Sequence, residues 1–228
     1  YKRQRFMHFE DLIRQRYSAR AFQDRAVPEP TLRAILTLAQ HTPSWCNTQP
    51  WEPVVTVTPA ATDRFREALW AHVQAGRPPR PDHPFPVRYE EPHATRRKRC
   101  GGALYTALGI ARENKRGAFE QTLKNFRLFE APHVLLMFCH ESLGFYGGVD
   151  CGLYLQSFLL AAQAHGVHTC AQAALATYPD FTRTYFDVPA DRKLLFGCSF
   201  GYADPDNPVN GFRTERESIE TQVRWIDQ

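Results

Sequence analysis

Residues 16–20, with the sequence RYSAR, place two arginines and a serine within five positions. The planar guanidinium of arginine makes paired, charge-assisted hydrogen bonds with phosphate oxygens. In a loop that leaves a helix, this spacing lets Arg16, Arg20 and the Ser18 hydroxyl converge on one anion. The segment therefore predicts an anion site, and the alternative is a solvated charge cluster on the surface.

Residues 43–51, PSWCNTQPW, carry a second group of this kind. The side-chain amides of Asn47 and Gln49 can both donate and accept hydrogen bonds along the polar edge of a heterocycle. Trp45 and Trp51 can form the walls of an apolar slot. The alternative is a surface turn in which the tryptophans only pack.

Residues 209–218, VNGFRTERES, carry a third group late in the chain. Arg213 and Arg216 can close on the same phosphate as Arg16 and Ser18. A solvated charge run is the alternative. Taken singly, none of the three segments identifies a function.

Several common catalytic motifs are absent from the sequence. It contains no GxGxxG after a strand, no P-loop lysine, no GxSxG and no HExxH, which counts against the corresponding nucleotide-binding and hydrolase classes. His165 and His168 flank Gly166 and are interpreted as a polar helix end. No metal site is predicted.

Composition narrows the choice of function further. The chain has 228 residues and a formal net charge of +4, which suits anionic ligands but is too small to indicate nucleic-acid binding. No apolar run approaches the roughly 18 residues that span a bilayer, so no membrane association is expected. Six scattered cysteines without a CxxC pair favour reduced thiols and a cytoplasmic protein.

Hydrophobic periodicity predicts the elements that position these residues. Predicted helices end near residue 16, follow Pro28, span 62–74, form a pair within 94–130 and cover 153–164; predicted strands lie at 54–57, 134–138 and 194–200. The proline-rich residues 75–92 are predicted to form an arm without regular structure. Residues 219–225 alternate between apolar and polar types, which predicts a terminal strand that joins its own sheet or a partner's.

The order of these segments resembles the FMN-dependent nitroreductase family over nearly the whole chain. RYSAR, a helix, PSWCNTQPW, a strand and a late FRTER follow the family pattern, as do GLYLQSFLLAAQAHG and VHTCAQAAL in the middle. The resemblance implies an α+β fold in a single domain spanning residues 1–228, with a mixed, mostly antiparallel sheet flanked by helices. It also implies an interlocked homodimer in which a strand at about 218–226 is exchanged.

The resemblance also implies roles for particular residues. Arg16, Tyr17 and Ser18 would hold the phosphate and ribityl end of FMN, and Arg20 would lie beside N1 of the flavin and stabilise its reduced form. Arg213 and Arg216 would complete the phosphate cage. The remaining cofactor-binding residues are Pro43, Ser44, Trp45, Asn47 and Gln49, contributed from the neighbouring subunit, and Ala171, Gln172 and Ala173, which would offer a backbone donor to flavin N5.

Some of these positions depart from the common family pattern, and the Trp45-Cys46 pair is bulkier than the small residues often found there. Tyr17 stands where a basic residue is frequent, and Ala171 stands where proline is frequent. Phe85, Tyr89, Tyr105, Phe126 and Phe129 can line the substrate side with aromatic surface, or they can belong to ordinary core packing.

The function that the resemblance implies is a ping-pong transfer of hydride from NADH or NADPH, through FMN, to nitroaromatic or related planar acceptors. Two alternatives stay open. One is another flavin reaction on the same fold, such as reductive dehalogenation or dehydrogenation. The other is a flavin-binding protein without turnover. The physiological acceptor, the choice of nicotinamide donor and the proton donor are not predicted.

Overall fold

The computed structural model describes residues 8–227, which form eight helices and four strands. The helices are α1 (Phe9–Gln15), α2 (Glu29–Ala39), α3 (Pro59–Gln74), α4 (His93–Ala107), α5 (Lys115–Leu123), α6 (Gly144–Ala164), α7 (Pro179–Phe186) and α8 (Ile219–Gln222). The strands are β1 (Trp51–Val55), β2 (His133–His140), β3 (His168–Gln172) and β4 (Arg192–Gly201). The predicted α+β class is confirmed.

The four strands form one sheet in the order β1-β2-β4-β3, and each neighbouring pair is antiparallel. A parallel bridge joins Ser18 to Thr169 on β3. The sheet is therefore mostly antiparallel, as predicted. Because β3 is an edge strand, its outer side is open to the segment that carries Arg16 and Arg20.

Strand β2 lies at the centre of the core and is buried on both faces. Its residues Val134, Leu136 and Phe138 pack with side chains of α3 and α7. The alternate residues Leu135, Met137 and Cys139 pack with α2 and α6 on the other face. This placement explains the uninterrupted apolar run in the sequence, since successive side chains of a strand point to opposite faces.

Helix α6 begins at Gly144, nine residues before the predicted start at residue 153. The additional turns contain several glycines, which lower helix propensity. The sequence pattern therefore does not predict this part of the helix. Gly147 is needed for packing because a Cβ at that position would lie 2.8 Å from Sγ of Cys139 on β2. The close approach of α6 to the sheet thus depends on a residue that weakens the local sequence signal.

The proline-rich residues 75–92 contain no helix or strand and lead into α4 and α5, as predicted. Asp82 anchors this arm. Its carboxylate accepts hydrogen bonds from the Arg183 guanidinium at 2.6 Å and from the Leu194 backbone N–H at 2.8 Å. The arm is therefore tied to α7 and to β4.

The predicted strand at about 218–226 does not form within the single chain described. Ile219–Gln222 form one helical turn, closed by a hydrogen bond from Val223 N–H to the Ile219 carbonyl at 2.8 Å. An alternating segment forms a strand only beside another strand, and here the backbone satisfies its hydrogen bonds locally. Exchange of this segment between subunits stays a prediction.

Two elements escaped the sequence analysis, namely strand β3 and helix α7. Strand β3 has the sequence HTCAQ, which lacks a β-branched or aromatic run, and α7 is only 8 residues long. Within residues 8–227, no helix combines the length and apolar character needed to cross a bilayer.

Candidate functional site

The RYSAR segment leaves α1 and runs along the open edge of β3. The Ala19 N–H donates to the Thr169 carbonyl at 2.9 Å, and the Ala19 side chain is fully buried. Arg16, Ser18 and Arg20 are half-buried on either side of this anchor. The sheet edge thus fixes the backbone from which the predicted anion ligands extend.

Asn210 joins this segment to the late arginine-rich segment. Its Oδ1 accepts the Arg20 backbone N–H at 2.9 Å, and its Nδ2 donates to the carbonyls of Ala21 at 2.9 Å and Asp204 at 2.8 Å. The side chain is buried. Asn210 was not predicted as a site residue because Asn-Gly at 210–211 indicates only a local turn.

Arg213 and Tyr17 make a direct contact in this cluster. The Arg213 guanidinium lies 3.8 Å from the centroid of the Tyr17 ring, within cation–π distance. It also donates to the carbonyls of Asn210 and Phe212, both at 2.8 Å. Burial raises the pKa of Tyr17, and the charge of Arg213 opposes that rise. Tyr17 therefore holds Arg213 in place where the family often has a basic residue.

His168 forms the other side of this cluster. Its ring centroid lies 5.4 Å from that of Tyr17, and its Nδ1 accepts the Ala203 N–H at 3.3 Å. Burial lowers the pKa of His168, and the charge of Arg213 lowers it further. A neutral His168 adds no positive charge, so the cationic character here comes from arginines.

Arg16 and Arg216 lie close enough to repel each other. The pKa of Arg16 is lowered, chiefly by burial and then by the charge of Arg216. Among residues 8–227, no carboxylate pairs with either of these arginines or with Arg20 and Arg213. The last two and Arg216 donate instead to backbone carbonyls and, for Arg216, to a threonine hydroxyl. Clustered like charges are unfavourable until an anion neutralises them. This donor set fits the phosphate of FMN.

The edge of β3 beside the cluster offers a backbone donor. The carbonyl of Thr169 points outward to Ala19, and backbone groups alternate in direction along a strand. The N–H of Ala171 therefore points to the same open side. Ala171 and Ala173 are exposed there, so their small side chains leave the edge accessible.

Gln172 differs from its two neighbours because its side chain is committed to the interior. Its Nε2 donates to the Asn125 carbonyl at 3.1 Å, and its Oε1 accepts the Ser199 hydroxyl at 2.5 Å. Only the backbone of Gln172 is available at the site. Its side chain instead connects β3 to β4 and to the end of α5.

The loop at residues 43–49 is held against α2 and α6. The Trp45 N–H donates to the Asp150 carboxylate at 3.1 Å, the Gln49 N–H donates to the Ser44 hydroxyl at 2.9 Å, and the Gln40 amide reaches Gln49 Oε1 at 3.2 Å. Cys46, Asn47 and Gln49 all have positive φ, between 47° and 54°. Side chains of these types adopt that region at a cost, and such strain concentrates at functional sites.

This loop does not meet the arginine cluster within one chain. In the part of the chain that the structure describes, its hydrogen bonds go to α2, to α6 and to itself. Pro43, Asn47 and Gln49 are exposed. Trp45 is 61% exposed and packs edge-on against Tyr146, with ring centroids 4.8 Å apart.

The prediction that Trp51 forms a wall of an apolar slot is wrong. It is buried in the core, where its ring lies 5.1 Å from that of Tyr154, and its Nε1 donates to Gln40 at 3.0 Å. Phe129 is likewise a core residue. Phe85 and Tyr89 are exposed on the arm, at 41% and 44%, whereas Tyr105 and Phe126 are half-buried.

Comparison with known proteins identifies the family of this site. The model of the nitroreductase family matches residues 13–202. This chain belongs to the nitroreductase family. The match contains the RYSAR segment, the 43–49 loop and β3, so the predicted family is confirmed.

Two curated relatives of this nitroreductase match along nearly their whole length. Nitroreductase NfnB of Mycolicibacterium smegmatis is 41% identical over 219 residues, which cover 95% of this chain and 92% of that protein. The chloronitrobenzene nitroreductase of Comamonas testosteroni is 33% identical and covers 96% of this chain and 97% of its own.

Solved structures agree with the family fold. The FMN-dependent nitroreductase NfnB from Mycobacterium smegmatis, in complex with NADPH, has a TM-score of 0.89 at 39% identity and covers 95% of this chain and 97% of its own. An FMN and NADPH-dependent nitroreductase NfnB from Sphigopyxis sp. strain HMH has a TM-score of 0.92 at 32% identity and covers 97% of this chain and 100% of its own.

Proposed function

We propose that this nitroreductase is an FMN-dependent oxidoreductase that uses NADPH or NADH to reduce nitroaromatic compounds, and that it works as a cytoplasmic homodimer. The observation that carries the proposal is the cluster of Arg16, Arg213 and Arg216, with Arg20 in the same segment as Arg16. Among residues 8–227, none of these arginines pairs with a carboxylate. The cluster contains both predicted halves of a phosphate cage, from residues 16–20 and from residues 213–216.

The residues present fit FMN at both ends. Arg16, Ser18 and Arg216 would hold the phosphate, and Arg213, positioned by Tyr17, would close the cage. Arg20 lies two residues beyond Ser18 in the same segment and would face the flavin ring. The Ala171 N–H then stands on the open edge as a donor to the flavin ring.

FMN supplies the redox chemistry when bound, since it accepts a hydride from the nicotinamide and passes reducing equivalents to the acceptor. The protein holds and orients it. The fixed positive charge of Arg20 stabilises negative charge that develops nearby, without the cost of reorienting water. Relatives named for chloronitrobenzene and nitrobenzene reduction support a nitroaromatic acceptor.

A homodimer explains an apolar surface that a single chain leaves uncovered. Phe145, Tyr146, Val149 and Leu153 lie along one side of α6, and each is at least 44% exposed. Trp45 extends this surface from the strained loop. Contiguous apolar patches of this kind are typical of protein interfaces. A partner seated here would also cover the 43–49 loop, whose amides would then face the partner's flavin.

The cytoplasmic location rests on the cysteines. All six are free thiols, and four of them are buried. Disulfides form in oxidising compartments, whereas unpaired thiols are usual in reducing ones.

Anaerobic spectroscopy tests the reaction. The protein, loaded with FMN, should lose the visible absorption of oxidised flavin on addition of NADPH or NADH and regain it on addition of nitrobenzene. Arg16→Gln should weaken FMN binding by roughly tenfold or more, because a charge-assisted contact is lost. Arg14→Gln removes an exposed arginine of α1 and should leave FMN binding unchanged. A protein that binds no FMN, or whose flavin neither donor reduces, contradicts the proposal.

Sedimentation tests the dimer separately. Val149→Asp introduces a charge into the apolar side of α6 and should give a monomer with weakened FMN binding. Val57→Asp changes an exposed valine that follows β1 and should leave the dimer intact. A parent protein that is monomeric and carries its full complement of FMN contradicts the proposed homodimer.

A further inference from the structure

A groove of about 970 Å³ lies between α4 and the segment that follows Asn210. Arg96 and Arg99 line one wall, and Arg213 and Arg216 line the other. The volume is of the size that binds small organic ligands. In the proposed function Arg216 would hold the phosphate of FMN at one margin of the groove, and this leaves the two arginines of α4 without an assigned role.

The geometry of α4 directs two of its basic residues into this groove. Arg96 and Arg99 are three positions apart and therefore lie on the same face of the helix. Arg97 faces elsewhere, since its guanidinium lies 5.0 Å from the Tyr89 ring centroid on the arm. A Cβ at Gly102, one turn beyond Arg99, would meet nothing within 4 Å. The small residues there leave space for a ligand against the helix.

The charge of the groove favours an added dianion. Its lining contains four arginines and two glutamates. Glu217 lies 3.2 Å from Arg96, and Glu215 lies 3.9 Å from Arg99. Glu215 is 85% exposed, so this long pair contributes little energy and is easily replaced. A phosphate monoester carries more charge than a carboxylate and can accept paired hydrogen bonds from both guanidiniums.

We propose that this groove binds the 2′-phosphate of NADPH, with Arg96 and Arg99 as its ligands, and that it gives the enzyme a preference for NADPH over NADH. The inference rests on the proposed function, because the ligand is the electron donor of that reaction. The 2′-phosphate is the only group that distinguishes the two donors. A pair of arginines outside the FMN cage is therefore sufficient to discriminate between them.

Ligand binding to the FMN-loaded enzyme provides the test without turnover. Calorimetric titration with 2′,5′-ADP, which carries the 2′-phosphate, should show binding at least roughly tenfold tighter than with 5′-AMP, which lacks it. The double variant Arg96→Gln/Arg99→Gln should lose this difference. Arg97→Gln removes the same charge from the opposite face of the same helix, and it should retain the difference.

Steady-state kinetics should follow the same pattern. The double variant should raise KM for NADPH about tenfold or more and leave KM for NADH unchanged. Equal binding of 2′,5′-ADP and 5′-AMP, or an equal loss in the Arg97→Gln variant, overturns the inference. Release of FMN fluorescence on adding 2′,5′-ADP also overturns it, since the ligand would then occupy the FMN cage.

The failure of this inference is distinguishable from that of the proposed function. A protein that retains FMN, reduces nitrobenzene with both donors and shows no selectivity for the 2′-phosphate keeps its function and loses only this site. A protein that retains no FMN overturns both.

Discussion

The side-chain oxygen of Asn210 accepts the backbone N–H of Arg20 at 2.9 Å, across 190 positions of sequence. The same side chain donates to the carbonyls of Ala21 and Asp204. One buried amide therefore fixes the distance between the two segments that form the arginine cluster. The cage is assembled by this residue, although its charge comes from others.

Asn210→Ala should separate the two halves of the cage. Loss of a buried amide that makes three hydrogen bonds should lower the free energy of unfolding by about 2 kcal/mol. The dissociation constant of FMN should rise roughly tenfold, because Arg213 is then no longer held in position relative to Arg16. Fluorescence titration with FMN and denaturant unfolding measure the two effects.

Asn207→Ala is the matched control in the same loop. Among residues 8–227 its Oδ1 accepts only the Val209 N–H, at 3.2 Å, so the variant should keep FMN affinity within about twofold. If Asn207→Ala and Asn210→Ala weaken FMN binding equally, the connection between the segments is not what positions the cage.

Much of the fold was predictable because its core follows simple periodicity. Strand β2 is continuously apolar since it is buried on both faces, and α2 carries a regular apolar stripe over Leu32, Ile35 and Ala39. Helix α6 was predicted only in part, because its first turns are rich in glycine. The alternation in the tail shows what a strand requires but not which neighbouring strand would pair with it, and in the single chain Ile219–Gln222 form a helical turn.

The connections within the candidate site were not predictable from the sequence. Side-chain type and spacing predicted Arg16, Ser18 and Arg213 as anion ligands, and that role stays a prediction. The contact of Arg213 with Tyr17, and the buried role of Gln172, depend on long-range packing that no local pattern encodes. Asn210 was missed for the same reason, since its partners are distant in sequence.

Tyr17 should matter through its ring and not through its hydroxyl. Tyr17→Ala removes the surface on which Arg213 stacks at 3.8 Å, and it should raise the dissociation constant of FMN about fivefold to tenfold. Tyr17→Phe keeps the ring and should bind FMN as the parent does. If the phenylalanine variant loses as much affinity as the alanine variant, the hydroxyl contacts the ligand and the stacking role is wrong.

His133 should make stability depend on pH. Its Nε2 accepts the Val27 N–H at 2.9 Å, and its Nδ1 lies 3.1 Å from the Thr56 carbonyl, so the folded protein requires the neutral ring. Burial lowers the pKa of His133, and the hydrogen bond to Thr56 opposes this only in part. Between the folded and unfolded pKa values, the unfolded chain binds the additional proton.

The neutral His133 ring therefore makes its full contribution to the free energy of unfolding above the unfolded histidine pKa of about 6.5. This contribution decreases as the pH falls below that value. The slope is at most about 1.4 kcal/mol per pH unit for one group. His133→Gln should reduce the slope between about pH 7.5 and about pH 5.5, roughly one unit either side of 6.5, by part of that amount, as measured by urea unfolding. His83→Gln changes an exposed histidine and should preserve it. Equal slopes in the parent and His133→Gln proteins would show that the buried ring is not responsible.

The ion pair of Asp82 and Arg183 should hold the proline-rich arm in place. Both side chains are about nine-tenths buried, and their closest atoms are 2.6 Å apart. Burial disfavours the charged form of Arg183, but the hydrogen bonds that its guanidinium donates to Asp82 and Asp180 raise its pKa overall. Removing one partner of a buried pair leaves the other charge poorly compensated, which is costlier than losing an exposed pair.

Asp82→Asn should therefore lower the free energy of unfolding by about 3 kcal/mol and make the arm more sensitive to proteolysis between residues 75 and 92. Asp180 also contacts Arg183 at 2.6 Å but is 78% exposed, so Asp180→Asn should cost less than about 1 kcal/mol. Limited proteolysis with mass spectrometry, together with denaturant unfolding, separates the two variants. Similar losses in both would mean that Arg183 draws its compensation equally from the two aspartates, and that the arm is not fixed through Asp82.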